Sequence, residues 1–148
     1  QLMRAYEKYG CGVVGVNEVP RADVPKYCTL DVSPLEENIM KVHDIIEKPK
    51  PEQILSCYSI LGRVVMPPEI FEIIEKTPVN NVLGEVVFTD SMVNLAKQGA
   101  LNAVDFTGTR YDMGSKLGIM KANVETALKH NEIGADFKTY LQELLKTL

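Results

Sequence analysis

Short β-branched runs alternate along this chain with stretches whose apolar residues recur every three or four positions, and that alternation leaves few folds open. Val13–Val19, Tyr27–Val32, Ile39–Glu47, Tyr58–Met66 and Leu101–Phe106 read as strands. Gln1–Tyr9, the segment opened by Pro67-Pro68-Glu69, Glu85–Lys97, the segment after Ser115 and the one from Asp136 read as helices. Val86, Met92, Val93 and Ala96 are expected to face inward on the third helix, and Leu117, Met120, Val124 and Leu128 form the apolar stripe of the fourth. Ser33–Asn38, a polar stretch holding Pro34, is too short for a crossover, so the second and third strands form an antiparallel hairpin. Thr77–Gly84 reads as a loop. Strands alternating with helices, with one hairpin inserted, predict an α/β fold.

At 148 residues the chain can bury one real core. Its net charge of −4 lacks the basic balance of a nucleic-acid binder. Its apolar runs fall short of a membrane span, and no signal-peptide pattern opens it. Cys11, Cys28 and Cys57 have no metal-ligand spacing and read as reduced thiols of a cytoplasmic protein. Residue 1 is glutamine and the first residues already look helical, which suggests a fragment of a longer chain.

The chemistry-bearing residues are few. Ile45-Ile46-Glu47-Lys48-Pro49 delivers an acid and a base to the end of a strand, where open α/β sheets bind ligands. Pro49 ends the ladder and is expected to hold Lys48 extended. Successive strand residues point to opposite faces, so the pair reads either as a solvated strand end or as a two-sided grip, carboxylate on hydroxyls and ammonium on phosphate. Gly62, inside a strand, marks either a bulge or a close approach by a ligand. Asp112 lies on a strand-to-helix loop before Gly114 and Ser115. It reads as a turn former, a helix cap or one ligand of a magnesium ion. His43 and His130 have no partner at ligand spacing. No nucleophile elbow, phosphate-binding glycine loop or zinc pattern occurs.

Taken in order, four stretches resemble the second half of the bacterial UTP–glucose-1-phosphate uridylyltransferases. They are Ile45–Lys50 with Ile60–Val65, Glu85–Asp90, Tyr111–Gly118, and Lys129–Gly134 continued through Phe137 and Leu141. The resemblance runs over nearly the whole chain. It implies a Rossmann-like nucleotidyltransferase, a mixed sheet flanked by helices, of which residues 1–148 would be the C-terminal part of a single domain. It implies formation of UDP-glucose and pyrophosphate from UTP and glucose 1-phosphate with Mg2+, in a cytoplasmic homo-oligomer. It also implies roles: Glu47 on sugar hydroxyls, Lys48 on the sugar phosphate as the catalytic charge, Gly62 lining the hexose pocket through its backbone, and Asp112 on the metal.

The family's glycine-rich nucleotide loop, in which Gly-Thr-Arg is followed by Pro and Lys, does not occur in these residues, so the 148 residues alone are expected to be inactive. Cys28, Val64, Gly84 and Val87 depart from the family pattern. Two other readings remain open: a sugar nucleotidyltransferase with another base or sugar, and a non-catalytic assembly or regulatory module on the same half-fold.

Overall fold

The computed structural model describes residues 1–81 and 84–148, so Val82 and Leu83 of the expected Thr77–Gly84 loop lie outside the described residues. The chain forms two compact units, Gln1–Thr107 and Gly108–Leu148. The first holds α1 (Leu2–Tyr9), β1 (Gly12–Glu18), β2 (Cys28–Glu36), β3 (Ile39–Glu47), β4 (Tyr58–Val65), α2 (Ile70–Lys76), α3 (Phe88–Lys97) and β5 (Leu101–Asp105). Its five strands make one mixed sheet in the order β2-β3-β5-β1-β4. β1 and β5 run parallel, and the other neighbours run antiparallel.

The centre of the sheet is buried on both faces. Val14, Val16, Leu101 and Ala103 pack with Ile70 of α2 and Met92, Leu95 and Ala96 of α3. Their strand neighbours Val13 and Val104 point the other way and pack with Ala5 of α1. This is why β1 and β5 are near-continuous apolar runs, where the sequence of β5 suggests a moderate alternation.

Three local expectations are corrected. β2 does not stop before Pro34 but runs through it to Glu36, which narrows the hairpin turn to Glu37-Asn38. β2 is an edge strand whose register shifts between Asp31 and Val32 and between Pro34 and Glu36, and edge bulges are where a strand accommodates a residue without an N–H. The helix read from Glu85 starts at Phe88, and Val86 is exposed. The Glu85 carbonyl accepts from the Asn80 N–H at 2.8 Å, which holds it in the preceding loop, and β-branched Val86 and Val87 resist the helix. Lys48 is not extended: its φ is +44°, in the left-handed region.

The second unit holds α4 (Lys116–Leu128) and α5 (Gly134–Leu145). Ser115 caps α4 as expected, its Oγ accepting from the Gly118 N–H at 2.9 Å. Of the stripe read from the α4 sequence, Leu117, Met120 and Leu128 are exposed in the chain, and the buried residue of the helix is Ala122. α5 begins at Gly134, two residues before Asp136, because Gly134 fits where a Cβ would come 2.6 Å from the Leu128 carbonyl oxygen.

Candidate functional site

The site grows from the end of β3. Glu47 is the last residue of that strand and pairs in register with Cys28 at the start of β2. One rung further on, the Lys48 N–H donates to the Tyr27 carbonyl at 2.7 Å. Pro49 is fully buried. Anchored by a hydrogen bond before it and a buried ring after it, Lys48 makes the bend by itself. Among the described residues it is the one non-glycine with positive φ. Such a backbone costs on the order of 1–3 kcal/mol and persists where its surroundings over-determine it. The side chain of Lys48 is exposed.

Gly62 reaches the same place from β4. Between the pairs Val14–Val64 and Val16–Ile60, β1 advances two residues while β4 advances four, so β4 bulges there. Gly62 has a φ of +84°, and a Cβ on it would meet nothing within 4 Å. The residue is glycine for its backbone and not for want of room.

Polar side chains sew β2 to the segment entering β4. Ser59 Oγ donates to the Cys28 carbonyl at 2.6 Å, Ser56 Oγ to the Leu30 carbonyl at 2.7 Å, and Thr29 Oγ1 accepts from the Leu55 and Ser56 N–H groups, each at 3.0 Å. The two ends of a five-strand sheet thereby meet beside Glu47. The result is an open cleft of about 230 Å3 whose lining includes Tyr27, Cys28, Glu47, Ile60, Gly62 and Thr89. Thr89, in the first turn of α3, donates to Glu47 Oε2 at 2.9 Å. Glu47 and Gly62 thus share one cleft, while Lys48 stands next to it in the chain and is not among the lining residues. Thr89 went unassigned in the sequence. Its signal was a hydroxyl beside an aspartate at the start of an apolar helical stretch.

Cys28 is buried against this cleft. Loss of water pushes its thiol up from the ordinary 9.0 to about 11, the Ile60 N–H bonded to its sulfur pulls the other way, and the Glu47 carboxylate adds to the rise. Below pH 9 both folded and unfolded chains keep the proton. Between 9 and 11 the unfolded chain releases it and the folded chain does not, so stability falls as pH rises, by about 2–3 kcal/mol from this group. Melting curves of the wild type and Cys28→Ala should therefore converge across that window, and parallel curves would contradict the assignment.

Asp112 belongs to the second unit. Its Oδ1 accepts from the Gly114 N–H at 3.0 Å, an Asx turn, and its carbonyl accepts from Ser115 Oγ at 3.3 Å. It is exposed and borders a cleft of about 280 Å3 with Arg110, Tyr111, Ser115, Gly118 and Lys121. Since Ser115 is the cap, Asp112 is not, and its Oδ2 takes no hydrogen bond from the described residues. Among the described residues no three His, Cys, Asp or Glu side chains gather to hold a metal ion. His43 pairs with Ser33 Oγ at 2.7 Å, and His130 Nδ1 accepts from the Glu132 N–H at 3.3 Å. No helix of the described residues is long and apolar enough to cross a membrane.

No protein-family model matches the chain. Individual proteins do. A UTP–glucose-1-phosphate uridylyltransferase of Staphylococcus epidermidis is 39% identical over 144 residues, 97% of this chain and 50% of the relative. A UTP-bound UGPase from Acinetobacter baumannii superposes with a TM-score of 0.84 at 32% identity, covering 97% of this chain and 49% of that one. A UDP-glucose pyrophosphorylase complexed with UDP-glucose superposes with a TM-score of 0.82 at 34% identity, covering 88% and 49%. The chain spans about half the length of the curated relatives it matches.

Proposed function

This chain is a homologue of the UTP–glucose-1-phosphate uridylyltransferases over about half their length, and from that premise we propose that it is the C-terminal part of a nucleotidyltransferase domain forming UDP-glucose and pyrophosphate from UTP and glucose 1-phosphate. The observation that carries the reading is the Glu47 carboxylate, fixed by Thr89 in a cleft bordered by the glycine bulge of β4. A carboxylate accepts from sugar hydroxyls and from nothing apolar.

In this reaction a phosphate oxygen of the sugar attacks the α-phosphorus of UTP, a new P–O bond forms, and the bond to pyrophosphate breaks. Both reactants are anions and the attacking oxygen is the substrate's own. The protein's work is therefore to hold two anions together and offset their charge, and no protein nucleophile is required. Glu47 takes the hexose hydroxyls, the Gly62 backbone borders the ring, and the Lys48 ammonium meets the sugar phosphate. The Asp112 carboxylate is a hard oxygen donor with Oδ2 uncommitted, which suits Mg2+, an ion that keeps waters and shares phosphates and does not need an all-protein cage. When bound, that ion neutralises charge on the leaving pyrophosphate. The exposed Leu117, Met120, Tyr140 and Leu145 of α4 and α5 suit self-association.

The test joins this chain to the part of the staphylococcal relative that it does not match. The joined protein should release pyrophosphate from UTP only when glucose 1-phosphate and Mg2+ are present. The 148 residues alone should release none. Turnover by the chain alone, or a joined protein that prefers another nucleotide or sugar phosphate, would refute the reading.

A further inference from the structure

We propose that Thr89 is a positioning residue for the hexose, holding the Glu47 carboxylate in a single rotation so that Oε1 is left for a sugar hydroxyl. The proposal rests on the reading of Glu47 as the hexose acceptor. Glu47 ends its strand at the sheet margin, and a glutamate there has three side-chain torsions and several ways to turn. Thr89 Oγ1 removes that choice by donating to Oε2 at 2.9 Å, while Oε1 takes no hydrogen bond from the described residues.

The donor itself is fixed. Thr89 is buried, and its two successors tie α3 to other parts of the unit. Asp90 Oδ2 accepts from Asn80 Nδ2 at 3.1 Å. Ser91 Oγ lies 2.9 Å from Thr77 Oγ1, which donates to the Ile73 carbonyl at 2.7 Å. Met92, Leu95 and Ala96 then seat the helix on the sheet. Three consecutive residues thus reach β3, the loop before α3, and the end of α2. Neither the turn nor the rotation of α3 can drift, so the hydroxyl of Thr89 presents a rigid reference to Glu47. The helix N terminus on which it rides also presents its partial positive charge to that carboxylate.

A threonine that merely satisfied itself would be replaceable without consequence for the sugar. Thr89→Val keeps the shape and loses the donor, Thr89→Ser keeps the donor, and Thr77→Val breaks a neighbouring bond on the same helix without touching Glu47. In the joined protein, Thr89→Val should raise KM for glucose 1-phosphate about 10-fold, the scale of a hydrogen bond to a charged group, and leave KM for UTP unchanged. It should also narrow the preference for glucose 1-phosphate over galactose 1-phosphate, because a loose carboxylate no longer tests where a hydroxyl stands. Thr89→Ser should restore both to within about twofold, and Thr77→Val should lower the melting temperature with the sugar preference intact. Unchanged KM and preference in Thr89→Val, beside a Glu47→Gln variant that loses them, would overturn the role of Thr89 alone. A Glu47→Gln variant with normal KM for glucose 1-phosphate would remove the reading of Glu47, and this inference with it.

Discussion

Lys48→Ala in the joined protein is expected to lower turnover with glucose 1-phosphate about 10- to 150-fold, the equivalent of about 1.5–3 kcal/mol for a lost charged hydrogen bond. The melting temperature should barely move, because the side chain is exposed and makes no ion pair among the described residues. The backbone provides a second arm. Lys48 bends at a φ of +44° between a hydrogen-bonded N–H and a buried proline, and alanine inherits that strain. Glycine does not, although it gives back about 0.5–1 kcal/mol in chain entropy. Lys48→Gly should thus be as inactive as Lys48→Ala while melting at or above its temperature. A Lys48→Ala enzyme with wild-type kinetics would make Lys48 a solvated strand end. A Gly variant less stable than Ala would mean that the bend carries no strain.

Gly118→Ala should destabilise the second unit by about 1–3 kcal/mol, the usual cost of forcing atoms into filled space. The sign is the test. Gly118 lies in the first turn of α4, where helix propensity alone favours alanine by about 1 kcal/mol. Yet a Cβ there would collide with the Asp112 carbonyl oxygen and come 2.7 Å from Ser115 Oγ. The first is backbone and the second is the cap of the helix, so neither can turn aside. The turn from Asp112 to Ser115 would have to open, with loss of the Ser115 N–H to Asp112 carbonyl bond. Hydrogen exchange at the Gly118 amide, together with melting, measures this directly. Asp112→Asn is the complementary change, since it preserves the Asx turn and removes only the charge. It should leave melting alone and raise the Mg2+ concentration needed for half-maximal turnover. If Asp112→Asn keeps full activity and the same Mg2+ dependence, Asp112 is a turn residue and nothing more.

Reading from sequence stops where a residue's conformation is set by what packs or pairs beside it. The alternation of elements, the hairpin and the Ser115 cap were legible because each is local: period, connector length and one hydroxyl decide them. Pro34 misled because its effect depends on whether its strand lies at an edge, which pairing decides and the residue does not. Val86 looked like core by spacing, but spacing identifies a stripe without saying where the helix begins. Lys48 was expected to be extended from its proline alone, whereas its conformation is set from both sides, by Tyr27 across the ladder and by the burial of Pro49. In the site, Glu47 and Gly62 stood out as a charge at a strand end and a glycine inside a strand. Thr89 did not, since its meaning arises only when α3 is laid beside β3.

The position of β5 has a consequence for how such a chain comes into being. It is the middle strand of the sheet and the last strand of its unit to be synthesised. Until residues 101–105 are present, β1 and β3 have no strand between them, and each leaves unpaired the backbone N–H and C=O groups that β5 will take. Pairing Gly12 with Leu101 closes a long loop, so the joining step is slow compared with forming the β2–β3 hairpin. In that interval the unfinished edges of β1 and β3 can recruit a strand from any neighbouring nascent chain. Arrival of five residues, Leu101–Asp105, ends that exposure in one step.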